Sequence, residues 1–244
     1  MLSMPETIAT TPGTSEDPAT TEARASAWRP APVLVLPRVH LASRSPRRRQ
    51  ILTEAGIEHD AAHPGLDDGE LLPGRVPADR WAMALAFLKA SSAARARAES
   101  GGGRFPAPVF LGADTVVVKH SNTGVSLIGQ PIDLEHAFEI LRLLRQGEHE
   151  VITGVALLDA HTGRRELFSD KATVRVGELS DEAIAEYLAG GQWRGKAGGY
   201  NLSERIAAGW PISCEGDPTT VMGLPIKALI PRLAAFAHPS VTAG

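Results

Sequence analysis

The chain has 244 residues, of which 43% are hydrophobic, and its 25 Lys and Arg against 28 Asp and Glu give a net charge of −3. This composition predicts a soluble globular protein with a full core and excludes the general basic field of a nucleic-acid-binding protein. Apolar runs stay shorter than the roughly 20 residues that cross a bilayer, and the first 28 residues lack a signal-peptide core, so we expect a cytoplasmic protein. The single cysteine, Cys214, fits a reducing compartment, and the histidine spacing disfavours a dedicated zinc site.

Residues 1–30 are rich in Thr, Ala and Pro and show no hydrophobic periodicity. Because such a segment buries too little apolar surface to offset its ordering entropy, we expect a disordered tail. Residues 31–244 are expected to form a single domain. The apolar run 33–36 lies between two prolines and stays unassigned.

The stretch 39–56 predicts a strand, a loop and a helix. Ser45 is a good N-cap, Pro46 suits the first helical position, and Gly56 is a C-terminal stop. The start of this helix combines unpaired N–H groups with four arginines, Arg44 and 47–49. It is either a solvated basic helix start or a phosphate site. The alternating Ser43 and Ser45, directly after the strand, favour a small polyphosphate as ligand.

Two elements follow before the middle of the chain. Residues 57–62 predict a second strand, and the acidic loop after it contains Asp67, Asp68 and Glu70. Such a loop is usually solvated, and it is a metal-site candidate only if it folds back to the phosphate-binding helix. Residues 77–98 predict a long helix with Trp81, Leu85 and Leu88 on its apolar side. Lys89 within it is either a surface lysine or a charge directed at a cleft.

The strand V-F-L-G-A-D-T-V-V-V carries Asp114 inside a run that is too apolar to be exposed. A buried carboxylate costs free energy unless it is paired, protonated or bound to metal. It either pairs with a neighbouring arginine or activates water beside a metal, and the second interpretation is favoured. Gly112, just before it, lets another backbone or a ligand come close.

The second half alternates helices and strands. We expect a helix over 134–145 capped by Asp133, a hairpin of strands 150–158 and 168–176, a helix beginning at Ser180, and a last amphipathic helix. Lys196 lies among glycines in W-R-G-K-A-G-G-Y. The glycines permit a close backbone approach, which favours an amino group aimed at a phosphate or a base.

Eight motifs in order, from S-R-S-P-R-R through L-A-F-L-K-A, G-A-D-T-V-V, G-Q-P, H-E-V-I-T-G-V-A-L, G-K-A-G-G-Y and E-G-D to V-M-G-L-P, closely resemble the Maf family. They span nearly the whole chain after the tail. The resemblance implies a mixed twisted α/β sheet flanked by helices in two lobes around a central cleft, as in inosine-triphosphatase-like folds. It also implies a nucleoside triphosphate pyrophosphatase that hydrolyses (d)NTP to (d)NMP and pyrophosphate with Mg²⁺ or Mn²⁺, and a homodimer as an assembly.

The resemblance also implies roles for single residues. By this resemblance, Asp114 corresponds to the proton acceptor of the family. The expected substrate-binding residues are Ser43, Arg47, Arg48, Lys89, Thr115, Lys196 and Ser203. The expected metal ligands are Asp68, Asp114 and Glu215. Arg47 with Thr115 resembles the branch that acts on dTTP and UTP. Ser203 stands where that branch has Gln, and Gln130 stands where the family has Lys.

Two other functions are weighed against the pyrophosphatase. A nucleotide- or nucleic-acid-binding regulator of cell division without turnover is the first alternative, and the buried acid facing the phosphates argues against it. A phosphomonoester hydrolase is the second, and it requires a nucleophile or metal cage for which the sequence offers no candidate.

Overall fold

A mixed β-sheet forms the centre of the fold. The computed structural model describes residues 36–66, 71–100, 109–122, 124–159 and 161–237. In chain order the elements are β1 (Val39–Ala42), α1 (Pro46–Glu54), β2 (His59–Ala62), α2 (Ala78–Glu99), β3 (Val109–Ser121), β4 (Gly124–Ile128), α3 (Leu134–Leu144), β5 (Gly147–Asp159), β6 (Arg165–Val176), α4 (Asp181–Ala189), a 3₁₀ turn (Ala197–Gly199), α5 (Leu202–Ala207), β7 (Ile212–Glu215), α6 (Pro218–Val221) and α7 (Ile226–Ala237). The predicted tail, residues 1–30, lies outside the described residues.

The sheet has seven strands in the order β2-β1-β3-β5-β6-β7, and β4 pairs with β3 as well. β1 runs parallel to β2 and β3, whereas β3, β5, β6 and β7 are successively antiparallel. The prediction of a mixed α/β sheet flanked by helices is confirmed. The hairpin of β5 and β6 is longer than predicted because its pairing extends from Gly147 and Val176 as far as Leu158 and Arg165.

The helix after β1 forms as its sequence predicts. The Ser45 hydroxyl accepts a hydrogen bond from the Arg48 amide at 3.4 Å, Pro46 begins the helix, and Gly56 has a φ of +67° at its end. Ile51 and Leu52 are buried against the sheet. The predicted Asp133 cap of α3 is likewise present, with the His136 amide 2.8 Å from the carboxylate.

α2 packs against the sheet through alanines. Its buried residues are Ala82, Leu85, Ala86, Ala90 and Ala93. The prediction that Leu88 lies on the buried side is wrong, because this side chain is 41% exposed. A helix that lies this close to a sheet has room mainly for small side chains at its contact surface, so four of the five buried residues are alanines.

The opposite face of the sheet carries two hydrophobic clusters. One joins β1, β3 and β5 to α1 and α7, and the other joins β3, β5 and β6 to α3 and α4. Thr115 of β3 and Thr153 of β5 are register partners between them, so a polar strip separates the two clusters. No helix in the described part of the chain combines the length and hydropathy needed to cross a bilayer.

Candidate active site

The cleft opens at a gap in the sheet beside β3. β1 pairs with this strand only over Val109–Leu111, and β4 pairs with it only over Val117–Ser121. Residues 112–116 therefore have β5 on one edge and, among the described strands, no partner on the other. Successive side chains of a strand point to opposite faces, yet Asp114 and Thr115 both reach the cleft because it opens along the edge between those faces.

The cleft has a volume of about 740 Å³ and is strongly cationic. Its basic side chains are Arg44, Arg47, Arg48, Lys89, Arg194 and Lys196. Asp114 and Glu204 are the acidic side chains that the described residues contribute to it. The cleft meets the start of α1 and the carboxyl end of β1, which is where open α/β sheets bind anionic ligands. The predicted phosphate-binding helix start therefore faces the predicted acid.

Asp114 forms an ion pair with Lys89 of α2. The Lys89 ammonium donates to the carboxylate at 2.6 Å, and the two side chains are only 14% and 13% exposed. Of the two interpretations of Lys89, a surface lysine and a charge directed at a cleft, the second describes this position, since the largely buried side chain lines the cleft. Two glycines on the strands permit it: a Cβ at Gly112 would lie 2.0 Å from the Ala86 carbonyl oxygen, and one at Gly154 would lie 2.3 Å from the Ala82 carbonyl carbon.

Arg48 ties three parts of the cleft wall together. Its guanidinium donates to the Gly223 carbonyl at 2.8 Å, to the Ser43 hydroxyl at 3.2 Å and to the Thr115 hydroxyl at 3.3 Å. Ser43 is buried and also accepts from the Ser45 amide at 3.2 Å. Substrate binding by Arg48 and Ser43 stays a prediction; their hydrogen bonds hold the helix start against β3.

Arg47 lies next to a carboxylate that sequence reasoning missed. Its guanidinium is 3.3 Å from Glu204 Oε1 and 3.2 Å from the Gln50 side chain. The side-chain amide of Asn201 donates a hydrogen bond to the same Glu204 oxygen at 2.8 Å. The sequence contains one indication of Glu204: it is an acidic residue four positions after Tyr200 and near the predicted cation Lys196.

Lys196 also lines the cleft, just before the 3₁₀ turn. Burial lowers the pKa of its ammonium, and Arg47 and Arg205 also lower it, while Glu204 raises it. Its amino group donates to the Gln192 carbonyl. Gln130 reaches the same cleft, because the Gly198 amide bonds the Gly129 carbonyl at 3.0 Å and joins the two loops.

Two predicted site residues lie elsewhere, and a third is outside the described residues. Ser203 does not line the cleft, and its hydroxyl donates to the Asn201 side chain at 3.0 Å. Glu215 is exposed on β7, at the edge of the sheet. Asp68 lies outside the described residues, although His63, Pro64 and Leu66 just before it line the cleft. Within the described ranges, no group of three or more His, Cys, Asp or Glu side chains could hold a metal ion.

This arrangement suits a reaction on a polyphosphate. Fixed cations stabilise charge on phosphoryl oxygens, and a carboxylate among them can accept a proton from attacking water. The orientation of the Asp114 carboxylate is set by Lys89, which is itself held by the close packing of α2. The cleft thus combines a base with phosphate-binding groups.

Comparisons with known proteins show what the chain is similar to. The family model described as "Maf-like protein" matches residues 38–236. A "dTTP/UTP pyrophosphatase" of Pelotomaculum thermopropionicum is 35% identical over 198 residues, which are 81% of this chain and 96% of that protein. One of the same name from Symbiobacterium thermophilum is 37% identical over 205 residues, 84% and 96% of the two chains. A nucleoside-triphosphatase, or dITP/XTP pyrophosphatase, from Mycobacterium abscessus aligns at 13% identity and a TM-score of 0.35, covering 57% of this chain and 74% of its own.

Proposed function

The chain belongs to the Maf family, and on that premise we propose that it is a nucleoside triphosphate pyrophosphatase, a hydrolase that cleaves the bond between the α- and β-phosphates. The products are the nucleoside monophosphate and pyrophosphate. The proposed substrates are dTTP and UTP, because several relatives that match over more than four-fifths of the chain are named dTTP/UTP pyrophosphatases. The cationic and acidic side chains of the cleft all lie within the region that matches the family model, which supports assigning the function to this cleft.

The observation that carries this proposal is the Lys89–Asp114 ion pair, which faces the arginines of the α1 start across one cleft. A protein that only bound a polyanion would gain nothing from a carboxylate beside the phosphates. A hydrolase does gain, because the carboxylate takes a proton from the attacking water. The pair therefore favours turnover over the alternative of a regulator that binds without catalysis.

The described residues have different roles in the proposed reaction. Asp114 orients the attacking water and takes its proton, with Lys89 holding the carboxylate in place. Arg47 and Lys196 bind phosphate oxygens, and Ser43 adds a hydroxyl at the helix start. Arg48 positions Ser43 and Thr115 through its hydrogen bonds. Such fixed charges stabilise the transferring phosphoryl group without reorganisation during the reaction.

The residues of the cleft fit a divalent metal that is shared with the substrate. Mg²⁺ is commonly held by one or two carboxylates together with substrate phosphates, so a complete protein cage is not required. Asp114 would hold Mg²⁺ or Mn²⁺ in this way; Asp68 stays a prediction, and Glu215 does not line the cleft. When bound, the metal supplies charge neutralisation on the phosphates and a lower pKa for water. A cytoplasmic location and a homodimer also stay predictions that follow from the resemblance.

The test is a product analysis. Purified protein is incubated with a panel of ribo- and deoxyribonucleoside triphosphates and Mg²⁺ or Mn²⁺, and the products are separated by ion-exchange chromatography. Nucleoside monophosphate and pyrophosphate in equal amounts are expected, with dTTP and UTP cleaved fastest. Orthophosphate as the first product would indicate a phosphatase, and binding without any product would indicate the regulator.

A further inference from the structure

A chain of hydroxyl groups lies directly behind the cleft. The Thr115 and Thr153 hydroxyl oxygens are 2.9 Å apart, and the Thr153 hydroxyl is 2.7 Å from the Thr220 carbonyl oxygen. Arg48 meets the other end of the chain, where its guanidinium donates to the Thr115 hydroxyl at 3.3 Å. Thr153 and Thr220 are completely buried. Solvent water therefore has no access to replace a missing partner at the inner end.

The direction of every bond in this chain follows from counting hydrogens. A carbonyl carries none, so the hydrogen between Thr153 and the Thr220 carbonyl comes from the Thr153 hydroxyl. That hydroxyl has only one, and therefore the hydrogen between Thr115 and Thr153 comes from Thr115. Arg48 supplies its own. The Thr115 hydroxyl thus donates its one hydrogen to Thr153 and accepts a hydrogen bond from Arg48. One lone pair of its oxygen remains for a ligand in the cleft.

Thr115 consequently meets a ligand as an acceptor. Phosphate oxygens are acceptors too, so an acceptor facing them would be repelled, and the group that suits Thr115 is an N–H or O–H donor. Uracil and thymine each carry such a donor at N3, whereas cytosine has an unprotonated acceptor at the same ring position. Cytosine is similar in size to uracil and thymine, and it differs from them in accepting rather than donating a hydrogen bond at N3. An acceptor at Thr115 distinguishes the bases by this difference.

We propose that Thr153 is a positioning residue for base selection: it holds Thr115 as an obligatory acceptor, which reads the N3–H of uracil and thymine and rejects cytosine. This inference rests on the proposed function, and it assigns the base preference to a residue behind the cleft. Thr153 does not line the cleft, so it acts on the substrate through Thr115 alone. Loss of its hydroxyl would free the Thr115 hydrogen to rotate toward the ligand.

The decisive variant is Thr153→Val, which keeps the shape of the side chain and removes the hydroxyl. The Thr220 carbonyl keeps its bond from the Gly223 amide at 3.1 Å, so the substitution leaves no buried carbonyl without a donor. The readout is the ratio of kcat/KM for UTP to that for CTP. Wild-type protein is expected to prefer UTP by at least about tenfold, and Thr153→Val should lower this ratio at least about fivefold. Thr153→Ser restores the hydroxyl and should restore the ratio.

Thr220→Val is the matched control. It removes a neighbouring hydroxyl, which bonds Asp170, and it keeps the main-chain carbonyl that orients Thr153. Its UTP-to-CTP ratio should equal that of wild type even if its thermal midpoint falls. A general effect of disturbing the buried strip would lower the ratio in both variants, which would contradict the role assigned to Thr153.

Other outcomes also decide the matter. The inference is wrong if folded Thr153→Val keeps the wild-type ratio, if wild type cleaves CTP as well as UTP, or if Thr153→Val slows both substrates equally. Should Thr153→Val fail to fold, Thr115→Val provides the test, since it must lose the preference. Wild-type protein that cleaves no triphosphate would refute the proposed function; the affinity ratio of UMP to CMP, measured by calorimetry on the same variants, then tests the base selection by itself.

Discussion

Asp114 is the residue whose role was most accessible to sequence reasoning. A carboxylate inside an apolar strand had to be paired or functional, and the structure shows it paired at 2.6 Å with Lys89 in the cleft. The partner itself was not predictable, because Lys89 reaches Asp114 only through the packing of α2 on two strands. Local sequence patterns contain no information on that distance.

Substituting Asp114→Asn keeps the size of the side chain and removes its basicity. We expect kcat for UTP to fall by about 10²- to 10⁴-fold, with a small change in KM, because loss of a general base acts on the chemical step. Steady-state kinetics on protein with a wild-type circular dichroism spectrum measures this. More than a tenth of the wild-type kcat would mean that another residue is the base.

Lys89→Met tests the other half of the pair. Since Lys89 both holds Asp114 and contributes positive charge to the cleft, the variant should lower kcat and raise KM together, each by about tenfold. A rise in KM alone would indicate that Lys89 only binds phosphate. Lys171→Met, which breaks an exposed ion pair with Glu150 outside the cleft, is the control and should change neither constant.

Glu204 places a negative charge where the triphosphate is expected to bind. Its pairing with Arg47 occupies a cation that the substrate needs, so Glu204→Gln should lower the KM for UTP by about two- to fivefold and leave kcat unchanged. The gain should shrink as the salt concentration rises. Glu166→Gln, which removes a carboxylate that pairs with Arg232 away from the cleft, serves as control. An unchanged KM in Glu204→Gln would show that substrate does not meet the Arg47–Glu204 pair.

At the scale of elements, α2 illustrates what periodicity can and cannot predict. Its existence and its length follow from the sequence, since residues 77–98 were expected and Ala78–Glu99 is observed. Its buried face does not follow from its leucines, because the glycines at 112 and 154 on β3 and β5 decide how close the helix comes. These contacts join residues far apart in the chain, and the gap beside β3 has the same origin in long-range strand pairing.

The close approach of α2 makes Gly154 a sensitive position. A methyl group there would meet the α2 backbone at 2.3 Å, so Gly154→Ala should lower the free energy of unfolding by about 1–3 kcal/mol and reduce kcat by displacing Lys89. Urea unfolding and kinetics measure the two effects. Gly190→Ala, where the nearest atom is 3.4 Å away, should be nearly neutral. Equal stability of both variants would mean that α2 shifts without cost.

For the whole molecule, His149 links stability to pH. Burial, together with the smaller effect of the Lys119 charge, lowers the pKa of this imidazole from 6.5 to about 4, and its ring is 2.7 Å from the Tyr200 hydroxyl. The unfolded chain therefore binds a proton at higher pH than the native protein. Stability from this site is present above about pH 6.5 and declines as the pH falls toward about 4, by on the order of 3 kcal/mol in total.

Urea unfolding of wild type and His149→Gln at about pH 7.5 and about pH 5 separates this site from other titrating groups. Wild type should lose stability between the two values, and the variant should lose distinctly less. Parallel losses in the two proteins would show that His149 is not the residue responsible.

The open edge of β3 also has a consequence for amide hydrogen exchange. Main-chain N–H groups of an antiparallel strand point alternately to its two sides, so within residues 112–116 every second amide bonds β5 and the others face the cleft. Deuterium should enter the strand in an alternating pattern, slowly on one side and rapidly on the other, although all five residues lie in one strand near the centre of the sheet. Residue-resolved NMR exchange would detect this alternation, and a product nucleotide lodged in the gap would slow the rapid set while the slow set stayed the same.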